Sequence, residues 1–115
     1  MTFVNLTPHS VTVHGGDAPL TVPPSGTVAR VATATREVAR VGGVPILAQE
    51  YGEVTGLPDQ QDGVLLVVSA LVRLASAAAR AEAGMPPRED VVSPGELVRD
   101  AAGQPVGCRG LVVSL

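Results

Sequence analysis

Few residues of this chain are of a type and spacing that could do chemistry. His9 and His14, with Asp17 behind them, could ligate a metal. Five positions apart in a straight strand, however, the two imidazoles point to opposite faces, whereas a metal needs convergent ligands held from behind by a second set of partners. A histidine in a turn more commonly hydrogen-bonds locally. Cys108 stands between Gly107 and Arg109, a setting in which a thiol can serve as a nucleophile. No histidine lies near it in sequence, and a lone free cysteine more commonly packs as a small hydrophobe. Glu50 and Glu53, three apart in a strand, face opposite ways and do not form an acid–base pair. No catalytic set, metal site or cofactor is therefore expected.

Binding chemistry has better material. At Val68-Ser69-Ala70 an apolar run passes into a helical pattern, leaving free backbone N–H groups where strand meets helix, a natural place for an anion. Ser69 capping its own helix is the plainer use of the same residue. Arg88, Asp90, Ser93, Arg99 and Asp100 form the densest charged segment. Two arginine forks there can pair with phosphates, and the two aspartates can accept from ribose hydroxyls or a base amine. Salt bridges pinning loops would look the same. Tyr51 is the one tyrosine able to stack on a base. No glycine-rich phosphate loop accompanies Ser69, so dinucleotide and P-loop fingerprints are excluded.

The elements that must position these residues are mostly strands. Val is the commonest residue, there is one Phe, one Tyr and no Trp, and 13 Gly and 10 Pro punctuate the chain. An aliphatic, β-branched core cut this often by turn residues predicts a mainly β domain, a small antiparallel sheet or barrel with one helix. Strands are expected at Phe3–Leu6, Ser10–His14, Leu20–Val22, Thr27–Val31, Arg36–Val41 and Val44–Tyr51, with an irregular crossover over Gly52–Pro58. Val64–Val68 has no polar alternation, which predicts a central strand covered on both faces. Leu71, Leu74, Ala75 and Ala78 recur at helical spacing, so a helix over Ala70–Ala83 should lay that stripe on the sheet. Ser93-Pro94-Gly95-Glu96 has the centre of a type II turn. Two further short strands should flank Asp100–Gly103, the last of them broken by Gly107 and Gly110.

At 115 residues the chain suits one domain. Its net charge is −3, and all eight basic residues are arginines. No basic tract and no interleaved aromatics are present to track a long nucleic acid. The N-terminus lacks the regions of a signal peptide, and no apolar run could cross a bilayer, so a cytoplasmic protein without a membrane partner is expected.

The segments Asn5-Leu6-Thr7-Pro8-His9, Pro24-Ser25-Gly26, Tyr51 to Pro58, Val68 to Val72, Ser93 to Asp100 and Gly107 to Leu111 together resemble a family of small proteins from phages, prophages and bacteria. They span nearly the whole chain, except that Ser76–Pro87 is longer than the family pattern and carries nothing over. The resemblance implies phage association, a setting in which small soluble proteins sequester nucleotide signals of host immunity. The expected function is accordingly a module binding a small anionic, nucleotide-like ligand. Its site should form where the Asn5, Thr7 and His9 turn, Tyr51 and a Glu53 loop, the Ser69 helix start, and Arg88, Asp90, Ser93, Arg99 and Asp100 converge. The alternatives are a small hydrolase or transferase using His9, Glu53 or Cys108, and a phage structural or assembly protein. So small an aliphatic core also predicts a homo-oligomer, a dimer first of all.

Overall fold

Hydrophobic alternation sorts the strands into two packed sheets and a projecting ribbon. A computed structural model describes residues 1–115. The elements in chain order are β1 (Thr2–Asn5), β2 (Val11–Val13), β3 (Leu20–Val22), β4 (Arg30–Val41), β5 (Val44–Thr55), β6 (Val64–Val67), α1 (Ala70–Glu82), β7 (Val91–Pro94), β8 (Leu97–Arg99), β9 (Pro105–Cys108) and β10 (Leu111–Val113). One sheet has the order β1-β6-β7-β10, the second β3-β2-β9-β8, and β4 pairs with β5 alone. The protein is mainly β with one helix, as its composition predicts, and neither sheet closes into a barrel.

The apolar run at Val64–Val68 explains the layering. β6 lies between β1 and β7 and runs parallel to both. Its residues alternate between two apolar layers. Leu66 and Val68 pack with Leu6, Ala29, Val72 and Val91 on the helix side. Val67 packs with Val11, Val92 and Cys108 on the side of the second sheet. Both faces are covered, so neither can be polar. Parallel neighbours need a long crossover, and α1 supplies the one from β6 to β7. Antiparallel pairing joins β2–β3, β4–β5, β7–β10 and β8–β9.

Several local expectations are corrected. The helix, capped by Ser69 as predicted, buries Val72, Ala75 and Ser76, a face turned by one residue from the expected stripe. Leu74 is left 55% exposed and, with Leu71 and Ala78, faces β5 instead. The two strands expected at 27–31 and 36–41 are one strand, β4, and the expected crossover is strand as far as Thr55. Ten cross-strand pairs over this length override the local turn signal of Gly52. The ribbon turns at Gly42 and Gly43, whose φ of 57° and 80° are those of a type I′ turn. Pro94-Gly95 is no type II turn, because Gly95 has no positive φ. β7 continues through Pro94, and Gly95 is required for space, since a Cβ there would lie 2.9 Å from the Gly110 carbonyl oxygen. The segment from Asp90 onwards holds four short strands, not two.

Only 16 residues are buried, and the radius of gyration is 16.5 Å. A compact domain of this length would have about 13–14 Å. The excess is the β4–β5 ribbon, in which every residue from Ala32 to Leu47 is exposed. No helix is long and apolar enough to cross a membrane.

Candidate ligand-binding site at the carboxyl ends of the parallel strands

β1, β6 and β7 end side by side, and the chain leaving each carries polar groups the sequence singles out. Asn5, the last residue of β1, is 1% exposed and fully bonded. Its amide donates to the carbonyls of His9 (2.8 Å) and Val22 (2.9 Å), and its Oδ1 accepts from the Thr7 N–H (2.9 Å) and hydroxyl (2.6 Å). This is an Asx turn that folds the chain back over the sheet edge. Asn5 and Thr7 therefore build the rim, and the exposed His9 contributes its carbonyl and not its ring.

Beside that rim β6 passes into α1. The Ser69 hydroxyl oxygen accepts from the Val72 N–H at 3.2 Å, leaving its own proton free to donate. The N–H groups of Ala70 and Leu71, first and second in the helix, have no acceptor in the chain. Between this helix start, the Leu6–Pro8 turn and Val28–Val31 lies a cleft of about 260 Å³, mostly apolar, with Arg30 on its wall. On the β7 side, Arg73 of α1 donates through Nε to Ser93 (2.8 Å) and through Nη1 to Ser114 (2.7 Å). Ser93 is buried, so its hydroxyl anchors the guanidinium from below.

The disposition of the eight arginines sharpens this picture. Arg36, Arg40, Arg88 and Arg109 pair with carboxylates. Arg80 and Arg99 clamp the carbonyls of Pro86 and Gly103. Arg30 and Arg73 alone have neither kind of partner, and both lie near the start of α1. Neither stood out in the sequence. Arg30 sits in a strand pattern and Arg73 on the helix outside its apolar stripe, where an arginine reads as a solvated residue.

Of the predicted ligand residues, the structure brings Asn5, Thr7, His9, Ser69 and Ser93 to this edge and takes Tyr51, Glu53, Arg88, Asp90, Arg99 and Asp100 elsewhere. Arg88 forms a two-pronged pair with Asp90 (3.0 and 2.7 Å) and also donates to the Pro58 carbonyl (2.9 Å). With side chains 13% and 5% exposed, the pair is a clasp on the Leu57–Pro58 segment and is not open to a phosphate. Arg99 and Asp100 belong to the β8–β9 hairpin of the second sheet. There Asp100 accepts from the Ala102 and Gln104 N–H groups, both at 2.9 Å, so these two residues shape a turn. Glu53 lies exposed on β5 and not in a loop, and Tyr51 projects from the ribbon into a separate groove along α1. Cys108 is buried with its Sγ 3.6 Å from the Thr12 carbonyl oxygen, and no hydrogen bond links it to His9 or Glu53. His14 meets the Val106 carbonyl at 3.2 Å.

Comparison of the chain with known protein families, curated proteins and solved structures finds no match.

Proposed function

We propose that this protein is a small-molecule-binding module that holds an anionic, nucleotide-like ligand at the carboxyl ends of β1, β6 and β7, and that it works by sequestering that ligand in a phage-associated setting. One observation carries the reading. The only two arginines without a carboxylate or carbonyl partner lie near a helix N-terminus whose first two N–H groups are free, Arg30 on the cleft wall and Arg73, in the first turn of α1, on the side of Ser93 and Ser114. Positive charge and aligned donors attract phosphate or carboxylate, and the crevice outside the carboxyl ends of parallel strands is where such sheets bind ligands. The hydroxyls of Ser69 and Ser114 add donors. Leu6, Val28, Val31 and Leu71 offer the apolar wall that a base or ring would pack on.

Incubating the protein with a panel of nucleotides, separating bound from free, and chromatographing the ligand released on denaturation tests this directly. The reading requires a nucleotide that is retained and recovered unchanged. Recovery of a new product makes the protein an enzyme. No retention of any nucleotide or related anion leaves an assembly role as the better account.

A further inference from the structure

We infer that the β4–β5 ribbon is a dimerisation arm, and that its tip seats in the groove between α1 and β5 of a second copy of this chain, reciprocally about a two-fold axis. The inference stands independently of the anion site.

A two-stranded ribbon in water is marginal by itself, and three strands or a packed face are needed for stability. This one runs for 12 residues on each side and keeps Val38, Val41, Val44, Ile46 and Leu47 44–66% exposed. Solvent-facing strands of a monomer are not expected to place Val41 and Val44 opposite one another at the tip, followed by Ile46. The groove at the root of the same ribbon, about 560 Å³, is the matching concavity. Its walls are Leu71, Leu74 and Ala78 of α1 and Tyr51 of β5. These are the leucines that sequence periodicity assigns to the core and that the fold leaves uncovered.

Area and charge favour a second copy as the occupant. Eight large apolar side chains, five on the arm and Tyr51, Leu71 and Leu74 in the groove, are about half exposed. At on the order of 90 Å² each they amount to roughly 700 Å² per copy, near the ~800 Å² per partner of a standard interface. A reciprocal dimer covers arm and groove of both copies at once. Glu82 at the end of the groove has no ion-pair partner in its own chain, and Arg40 near the arm's tip has only an exposed one to Glu37. Seating the tip in the groove brings the two signs together.

Sedimentation equilibrium of the full chain at micromolar concentration tests the arrangement, using Ile46→Glu in the arm and Leu74→Glu in the groove. Both side chains are exposed, so each variant should fold, and circular dichroism with a thermal melt verifies this. Val44→Lys replaces the arm variant if it fails that check, and Ala78→Glu replaces the groove variant. The parent should be a dimer, and each substitution should weaken it by ~100-fold or more, the loss typical of a charge forced into an interface hot spot. Mixing the arm variant with the groove variant should restore a dimer of intermediate affinity, because one intact arm-in-groove contact remains. A monomeric parent, a dimer indifferent to either substitution, or a mixture no tighter than its components overturns the inference.

Discussion

Replacing Arg88 by alanine separates a structural clasp from a ligand contact. In the folded chain the Asp90 carboxylate is 5% exposed and has Arg88 as its only side-chain partner. Removing the guanidinium leaves a buried anion unpaired and takes the donor from the Pro58 carbonyl. Breaking one side of such a pair costs about 3–5 kcal/mol. A chain of 115 residues unfolds with an entropy of about 0.24 kcal/mol/K, so the melting temperature should fall by ~12–20 °C. Removing the charge as well, in Arg88→Ala with Asp90→Val, should recover a substantial part of the loss, because the unpaired anion is gone. Calorimetric melts of the parent, both single variants and the double variant supply the cycle. An Arg88→Ala protein that melts within ~4 °C of the parent, about 1 kcal/mol on this scale, refutes the clasp and returns Arg88 to the list of candidate ligand residues.

Other substitutions probe the supports of the site. Asn5→Ala breaks four hydrogen bonds and orphans the buried Val22 carbonyl, so urea denaturation should show a loss of about 2–4 kcal/mol, while Thr7→Val loses less. Gly95→Ala places a methyl 2.9 Å from the Gly110 carbonyl oxygen and 3.2 Å from Val112, and should cost about 1–3 kcal/mol by the same measurement. Ser69→Ala removes the helix cap and should lower stability by ~1 kcal/mol, read as a shift of roughly 4 °C in a thermal melt.

The legible parts of this fold were those encoded in contiguous residues. An uninterrupted aliphatic run marks β6 because a strand covered on both faces has no reason to alternate, and Ser69 marks the helix start because its side chain bonds three residues ahead. Paired strands with a Gly-Gly turn between them likewise announce the ribbon. What sequence could not convey is which elements become neighbours. The parallel placement of β1 and β7 on either side of β6 brings Thr7, Ser69 and Ser93 to one edge, and no local pattern encodes that pairing. Arg88, Arg99 and Asp100 look like ligand residues in a linear reading, because a charge cluster has the same composition whether it meets a phosphate or its own loops. Their internal partners, the Asp90 carboxylate, the Gly103 carbonyl and the 102–104 amides, become visible only in three dimensions. Arg30 and Arg73 are inconspicuous in the sequence for the converse reason. Their distinction is the lack of a carboxylate or carbonyl partner, which is a property of the fold. The buried face of α1 lies one residue round from the stripe of Leu71, Leu74, Ala75 and Ala78, because the two leucines dominate the hydrophobic periodicity while Val72, Ala75 and Ser76 are the side chains that the fold buries.

Equilibrium dialysis of a retained nucleotide against the parent, Arg30→Ala, Arg73→Ala and Arg99→Ala tests the central claim most directly. A charged hydrogen bond to a ligand contributes about 1.5–3 kcal/mol, so Arg30→Ala and Arg73→Ala should each weaken binding at least tenfold while remaining folded. Arg99→Ala, which only loosens its own hairpin, should bind within about twofold of the parent. Unchanged affinity in both Arg30→Ala and Arg73→Ala, or loss of binding in Arg99→Ala alone, contradicts a site at the carboxyl ends of the parallel strands.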